Sequence, residues 1–214
     1  LCRKNDCLLL LDTVTSLGGV PLYLDEWKID LAYSCSQKGL SCPPGLGPFT
    51  INERAEDKLN RRKDKVPNWY LDVSLLNKYW GSDRVYHHTA PVNMNFGIRE
   101  ALRLLAEEGL ENSWNRHKTN AQKLWNGMES LDLKLHVPEE FRLPTLTTVC
   151  IPPHLDGKAF TLHLLNKFGV EIGGGLGDLA GKVWRIGLMG HNSKIENVEK
   201  ILNLFSTELD KFKK

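Results

Sequence analysis

The sequence predicts an α/β fold, in which the strands of a parallel sheet alternate with helices. Short apolar runs in the first half are separated by glycine and proline and are followed by segments with helical periodicity. The second half has longer periodic segments around short strand-like runs, which is typical of a smaller α+β layer. With 214 residues, of which 41% are hydrophobic, the chain is long enough to bury a substantial core.

Three apolar runs in the first half predict strands. Residues 7–11 are apolar at every position and stop at Asp12, so we expect a fully buried strand of a parallel sheet. Residues 29–34 predict the second strand and residues 47–51 the third. A helix rich in charged residues is expected over 53–62.

A long irregular segment is expected over residues 60–91, and such a loop is uncommon in a compact domain unless it has a function. Within it, His87 and His88 are adjacent, so we expect them to point to opposite faces of an extended segment and to be structural. The segment also holds aromatic residues that we expect in the core or in a dimer interface: Trp69, Tyr70, Tyr79 and Trp80.

Apolar residues recur at helical spacing over 93–106, and this pattern ends at Gly109. We predict a domain boundary there, which divides the chain into residues 1–108 and 109–214. Beyond the boundary, the patterns predict helices at 110–131, 157–168 and 194–212, and strands at 147–151, 170–172 and 183–187.

Composition narrows the classes of function. The 28 basic and 26 acidic side chains give a net charge of +2, so a nucleic-acid partner is not expected. No apolar run near the start approaches the roughly 20 residues that a membrane span needs. Five irregularly spaced cysteines predict reduced thiols, and without paired Cys or His ligands we expect no metal site. The chain opens without Met directly before a strand-like run, so we expect an N-terminal part to be missing.

Two residues could carry chemistry at one edge of the predicted sheet. Asp12 ends the first strand, where an acid could hold a cationic ligand nitrogen, although a carboxylate that caps a turn is the commoner case. Lys38 follows the second strand, so its amine should emerge at the same edge. A desolvated lysine amine can attack a carbonyl group. A solvated lysine in a loop, which is the commoner case, has no such catalytic role.

Several motifs in combination resemble the class V aminotransferases. They are Leu-Leu-Asp-Thr-Val-Thr-Ser-Leu-Gly-Gly (10–19), Ser-Gln-Lys-Gly-Leu (36–40), Tyr-His-His-Thr (86–89), Leu-Glu-Asn-Ser-Trp (110–114), Gly-Gly-Leu-Gly (174–177) and Lys-Val-Trp-Arg-Ile-Gly (182–187). The resemblance implies a pyridoxal-phosphate enzyme of fold type I. Residues 1–108 would then be the C-terminal portion of the large cofactor-binding domain, and residues 109–214 the small C-terminal α+β domain.

The resemblance also implies roles for residues around the cofactor. Lys38 would be the Schiff-base lysine, and Asp12 would be the partner of the protonated pyridine nitrogen. Val14 would lie against one face of the ring, and Gln37 would lie near the phosphate. Such a lysine with an acid opposite the ring nitrogen is the arrangement that pyridoxal chemistry uses.

Two further regions receive roles from the resemblance. Tyr86 and Thr89 would reach the phosphate bound by the neighbouring subunit, which implies a homodimer. Arg185 would bind the substrate α-carboxylate, for which a guanidinium offers a planar fork, although a strand arginine in a surface salt bridge is a common alternative. Residues 173–177 lack the spacing of a nucleotide-binding loop, so we interpret them as a flexible connection between strands near the substrate entrance.

The motifs are most similar to family members that transfer an amino group from alanine or serine to glyoxylate, giving pyruvate or the corresponding oxo acid, and glycine. Three alternatives stay open: a transaminase that uses 3-hydroxykynurenine with glyoxylate, a desulfurase or lyase of the same family, and a non-catalytic fragment that binds no cofactor. The resemblance favours the peroxisome as the compartment over the mitochondrion or cytosol.

Overall fold

The computed structural model describes residues 1–214, which form two three-stranded sheets and six α-helices. The strands are β1 (Leu10–Asp12), β2 (Leu31–Tyr33), β3 (Phe49–Ile51), β4 (Leu146–Cys150), β5 (Gly173–Gly174) and β6 (Val183–Gly187). The helices are α1 (Glu53–Asn60), α2 (Val73–Trp80), α3 (Val92–Glu108), α4 (Leu110–Ser130), α5 (Gly157–Phe168) and α6 (Ile195–Glu208). None of the helices has both the length and the apolar composition that crossing a membrane requires.

The first sheet has the order β1-β2-β3, with β1 parallel to β2 and β3 antiparallel to β2. The expectation of a fully buried first strand is wrong, because β1 begins only at Leu10, whose side chain is 55% exposed. β1 is an edge strand of the first sheet of this chain, and Leu10 lies on the exposed face of that sheet, whereas Leu11 on the other face is half-buried. The opposite face is covered, and Ala32 of β2 is buried there.

A buried carboxylate joins the first sheet to α1. Asp30 is 1% exposed and accepts hydrogen bonds from the Leu9 N–H at 2.8 Å and from Arg54 Nη1 at 2.8 Å. Asn52, the residue before α1, donates to the same carboxylate at 3.1 Å. Burial raises the pKa of Asp30, but these donors together lower it further, so the pKa lies below its ordinary value.

The segment over 60–91 is not irregular throughout, because it contains the eight-residue helix α2. Asp72 caps this helix by accepting the Ser74 N–H at 2.9 Å. Helices α3 and α4 follow with Gly109 between them, at a φ of +85° that glycine adopts without strain. The predicted helices at 93–106 and 110–131 are therefore confirmed to within a few residues.

The second sheet has the order β4-β6-β5 and is antiparallel throughout. The predicted strand at 170–172 is wrong, because Gly173 and Gly174 pair with β6 instead. The Val170 N–H donates to the Leu164 carbonyl at 3.2 Å, so Val170 completes the end of α5. Val170 and Ile172 are apolar because they pack against the core and not because they lie in a strand.

The main core lies between the second sheet and helices α4, α5 and α6. Phe160 of α5 contacts the rings of Trp184 and Phe205 at centroid distances of 5.4 and 5.0 Å, and all three side chains are almost fully buried. Helix α4 contributes Leu124 and Met128, four residues apart on one face. Each such side chain stabilises the fold by about 1.5–3 kcal/mol through burial.

Candidate active site

Asp12 stands at the carboxyl end of β1 with both carboxylate oxygens hydrogen-bonded. Oδ1 accepts the Val14 N–H at 2.8 Å, and Oδ2 accepts the Tyr33 hydroxyl at 2.7 Å. The Tyr33 hydroxyl, followed by the Val14 N–H, lowers the pKa of Asp12 below its ordinary value. The carboxylate is therefore ionised and exposed, with spare lone pairs, so it caps the turn and remains able to bind a ligand N–H.

Tyr33 is a site residue that sequence reasoning missed. It lies opposite Asp12 in the parallel register of β1 and β2, so both side chains project from one face of the sheet. Its bond to Asp12 raises the pKa of the Tyr33 hydroxyl. No local pattern singles out Tyr33, because its place beside Asp12 depends on the register of two strands.

Lys38 follows β2 in a tight turn whose backbone is held by its own segment. The Lys38 carbonyl accepts the Ser41 N–H at 2.9 Å, and the Ser36 carbonyl accepts the Cys42 N–H at 3.0 Å. A Cβ on Gly39 would lie only 2.1 Å from the Leu17 carbonyl oxygen, so the loop after β1 packs directly on the turn after β2. The expectation that the Lys38 amine emerges at the same sheet edge as Asp12 stays a prediction.

Gln37 and Lys38 line one cavity, of about 510 Å³. Its other wall comes from the last residue of β6, Gly187, and from residues after β6, including His191. The cavity therefore joins the lysine turn to the end of the strand that carries Arg185.

The second half also braces the lysine turn. Ser41 Oγ accepts the His191 N–H at 2.7 Å, and a Cβ on Gly190 would lie 1.9 Å from that same oxygen. His117 on α4 is fully buried, and its Nε2 accepts the Gly190 N–H at 2.9 Å while its Nδ1 donates to the Ser113 carbonyl at 2.7 Å. Burial lowers the pKa of His117, which keeps the imidazole neutral in the tautomer that this pair of bonds requires.

Arg185 lies on β6 and is partly exposed. Its Nε donates to the Gly174 carbonyl at 2.6 Å, so its hydrogen bond goes to a backbone carbonyl on β5 rather than to an acidic side chain. The other guanidinium N–H groups are left to bind a carboxylate. Residues 173–177 are not simply a flexible connection, because Gly173 and Gly174 form β5 beside Arg185.

The structure brings Tyr86 and Thr89 together. The Tyr86 hydroxyl and Thr89 Oγ1 are 2.9 Å apart, and both residues are exposed on the segment between α2 and α3. Neither residue lines the cavity of Lys38. Two exposed hydroxyls at this distance offer a pair of hydrogen-bonding groups to an anion from outside this subunit.

The geometry of the adjacent histidines corrects one expectation. His87 and His88 do not point apart, because a bend brings their Nδ1 atoms to 2.9 Å from each other. His87 is buried, stacks on Trp69 at 4.0 Å between centroids, and has its Nε2 3.0 Å from the Trp69 carbonyl. These contacts support the structural interpretation of the pair.

The aromatic residues of this region do not form a core within the chain. Trp69, Tyr70 and Trp80 are 57%, 54% and 66% exposed. The expectation of a core location is therefore wrong, because each of these rings keeps more than half of its surface exposed, even though Trp69 stacks on His87. A location in a dimer interface stays a prediction.

Comparison with known proteins identifies the family. The family model described as aminotransferase class-V matches residues 1–201, and the chain belongs to this family. The chain is 47% identical over 205 residues to the alanine–glyoxylate aminotransferase of Callithrix jacchus, covering 94% of this chain and 50% of that protein. The predicted family is thereby confirmed.

Solved structures confirm the predicted α/β fold class. An alanine–glyoxylate aminotransferase from Nostoc sp. has a TM-score of 0.92 at 62% identity, covering 95% of this chain and 54% of that one. A ureidoglycine–glyoxylate aminotransferase from Bacillus subtilis has a TM-score of 0.94 at 39% identity, covering 99% and 55%. The chain thus spans about half the length of the relatives that it matches.

Pyridoxal phosphate is the cofactor of this family, and the residues present fit it. The ionised, exposed carboxylate of Asp12 matches a protonated ring nitrogen, and Lys38 supplies an amine at the neighbouring segment. The Val14 side chain follows Asp12 on the same loop, and Gln37 shares the cavity of Lys38. The division of residues 1–108 and 109–214 into two domains stays a prediction.

Proposed function

We propose that the complete protein carrying this chain is a pyridoxal-phosphate-dependent transaminase that moves an amino group from alanine or serine to glyoxylate. The observation that carries this proposal is an ionised carboxylate, Asp12, at the end of β1 together with a lysine, Lys38, in the turn after the neighbouring strand β2, in a chain of this family. Relatives named for glyoxylate as a substrate, at 47% and 38% identity, support glyoxylate as the acceptor.

The residues of the first half act on the cofactor and on the proton that moves. Pyridoxal phosphate, when bound, withdraws electrons from the bonds at the amino acid's α-carbon. Asp12 accepts a hydrogen bond from the ring nitrogen and so favours its protonated form. Lys38 Nζ would be the amine that holds the cofactor through its aldehyde, and once free it would act as the base that takes the proton from the substrate α-carbon. Val14 restrains one ring face, and Gln37 donates to the phosphate.

Arg185 orients the substrate. Its free N–H groups bind the α-carboxylate in a forked pair of hydrogen bonds, which selects the bond at the α-carbon that is aligned for cleavage. The bond from Nε to Gly174 fixes the guanidinium plane before substrate arrives. A lysine at this position would lose the planar fork.

A second copy of the protein completes the site in this proposal. The hydroxyl pair of Tyr86 and Thr89 would bind the phosphate held by the neighbouring subunit through the proton that their mutual bond leaves free, which is consistent with their exposure and with their absence from the lining of the chain's own Lys38 cavity. The exposed aromatic residues on the same segment supply apolar surface for the homodimer contact.

The test is made on the complete protein with pyridoxal phosphate. Pyruvate released from alanine plus glyoxylate is measured beside the Lys38→Ala variant. We expect pyruvate only from the wild type, because Lys38 is the covalent attachment point and the proton carrier. Wild-type protein that binds pyridoxal phosphate but forms no pyruvate, with serine equally inactive, would overturn the substrate assignment. Turnover by Lys38→Ala at the wild-type rate would overturn the role of Lys38.

A different amino donor is the second candidate. The Bacillus subtilis relative named (S)-ureidoglycine–glyoxylate transaminase is 38% identical over 219 residues, which favours ureidoglycine as the competing donor. Each donor, 3-hydroxykynurenine included, is offered separately with glyoxylate, and glycine formation is measured. A kcat/KM for another donor above that for alanine would move the assignment to that donor.

We also place the complete protein in the peroxisome. Fluorescence of the tagged full-length protein should coincide with a peroxisomal marker. Coincidence with a mitochondrial marker or diffuse cytosolic fluorescence would refute this location.

A further inference from the structure

No step of the proposed reaction uses the hydrogen bond between Tyr33 and Asp12. The two residues are register partners at the ends of β1 and β2, and the hydroxyl donates to Oδ2 at 2.7 Å. Both side chains lie on the exposed face of the sheet, where solvent would otherwise compete for the hydroxyl. Because the bond lies on that face, it orients the carboxylate of Asp12 and does not contribute to the packing of the core.

The backbone fixes the place from which Tyr33 acts. The Tyr33 carbonyl accepts both the Thr13 N–H at 2.9 Å and the Thr13 hydroxyl at 2.7 Å. Ser34 Oγ donates in return to the Thr13 carbonyl at 3.0 Å, and Thr13 and Ser34 are buried. The residue after Asp12 is thereby tied to Tyr33 and to the residue after it, so the donor and the acceptor keep their relative position.

The two donors of Asp12 constrain its rotation. Val14 holds Oδ1 from the same loop and Tyr33 holds Oδ2 from the neighbouring strand, so turning the carboxylate would break one bond or both. An ionised carboxylate has about four acceptor sites, so each oxygen keeps one site after these bonds are made. Those remaining sites are open to a ligand because Asp12 is exposed.

We propose that Tyr33 is a positioning residue that holds the Asp12 carboxylate in the orientation in which it receives the cofactor's ring nitrogen. This inference rests on the proposed function, because it requires that Asp12 bind pyridoxal phosphate. Tyr33 acts through Asp12 alone and touches no reacting atom.

The test uses the complete protein without substrate, and its readouts are the dissociation constant for pyridoxal phosphate and the visible circular dichroism of the bound cofactor. Tyr33→Phe removes the hydroxyl and keeps the ring. We expect about fivefold weaker binding, which corresponds to about 1 kcal/mol, the usual worth of one hydrogen bond. The dichroism band should weaken because the ring is held less rigidly. Tyr23→Phe is the matched control, since Tyr23 is an exposed tyrosine that packs edge-on against Trp27.

The same substitution in an Asp12→Ala background, which removes the acceptor of the Tyr33 hydroxyl, separates a positioning role from a structural one. If Tyr33 acts through Asp12, Tyr33→Phe should change binding by less than about twofold in that background, since coupled residues are not additive. A loss of equal size in both backgrounds, or wild-type affinity and dichroism in the single variant, would overturn the inference alone. Failure of the wild type to bind pyridoxal phosphate would instead overturn the proposed function, and the inference with it.

Discussion

Replacing Gly39 by alanine perturbs the turn that carries Lys38. A Cβ at this position would lie 2.1 Å from the carbonyl oxygen of Leu17. Side-chain carbons essentially never approach another heavy atom within 3.0 Å, so the two backbone segments must separate by about 1 Å. Neither atom belongs to a flexible side chain that could move aside. The displacement must therefore pass into the turn next to Lys38.

The size of the effect follows from this displacement. A shift of about 1 Å in a group that takes part in catalysis lowers the rate by about 100-fold. The same clash destabilises the folded state by about 1–3 kcal/mol, as for other overpacked sites. Residues of this turn line the cavity. We therefore expect turnover to fall by more than the loss of folded protein alone would cause.

The assay compares kcat for alanine plus glyoxylate and urea unfolding in the complete protein and its variants. Gly47→Ala is the control, because a Cβ there would meet its nearest atom, the Ser34 carbonyl oxygen, at an ordinary 3.6 Å. We expect the control to keep wild-type turnover. A Gly39→Ala protein with turnover within about twofold of wild type would refute the reasoning, because the contact would then place no constraint on Lys38.

Two further predictions concern the stability of the complete protein. His117 has a pKa below its ordinary value because it is buried, so the unfolded chain takes up its proton first as the pH falls. We therefore expect the contribution of His117 to be intact above about pH 6.5 and to decline below it by at most about 1.4 kcal/mol per pH unit. The check is the free energy of unfolding by urea, measured for the wild type and for His117→Gln from pH 7.5 to 5. If the two proteins show the same dependence of this free energy on pH, the prediction is contradicted. Arg54→Met removes the closer of the two arginines that pair with the buried Asp30 and leaves only Arg3, 3.7 Å away, which should cost at most about 3 kcal/mol at pH 7. A loss below about 0.5 kcal/mol in urea unfolding would show that the remaining donors suffice.

Local signals predicted the elements that depend on local structure. Helices α4 and α5 were predicted to within a residue, because their apolar periodicity is continuous and glycines with positive φ end or separate them, at +85° for Gly109 and +63° for Gly169. Helix α2 was missed because its eight residues are too few to give a clear helical period, and they lie in an aromatic-rich segment that was interpreted as irregular. Strand β5 was missed because its two glycines carry no strand signal, and their pairing depends on β6.

The candidate site divides in the same way. Asp12, Lys38 and Arg185 were predicted from motifs along the chain, since their residue types and neighbouring sequences resemble those of the family. Tyr33 was not predicted, because it meets Asp12, 21 residues away along the chain, only through the register of two strands. His117 was not, because its bond to Gly190 joins residues 73 apart.

The sequence by itself determined the alternation of strands and helices, the family, and the residues that suit pyridoxal chemistry, because these depend on residue type and local spacing. Only the tertiary structure decided which donors hold Asp12, how Gly39 packs on Leu17, and how the second half of the chain braces the lysine turn through Ser41. Those contacts depend on strand register and on distances between segments far apart in the sequence, which local patterns do not encode. The orientation of the site is therefore a property of the fold, whereas its chemical groups are a property of the sequence.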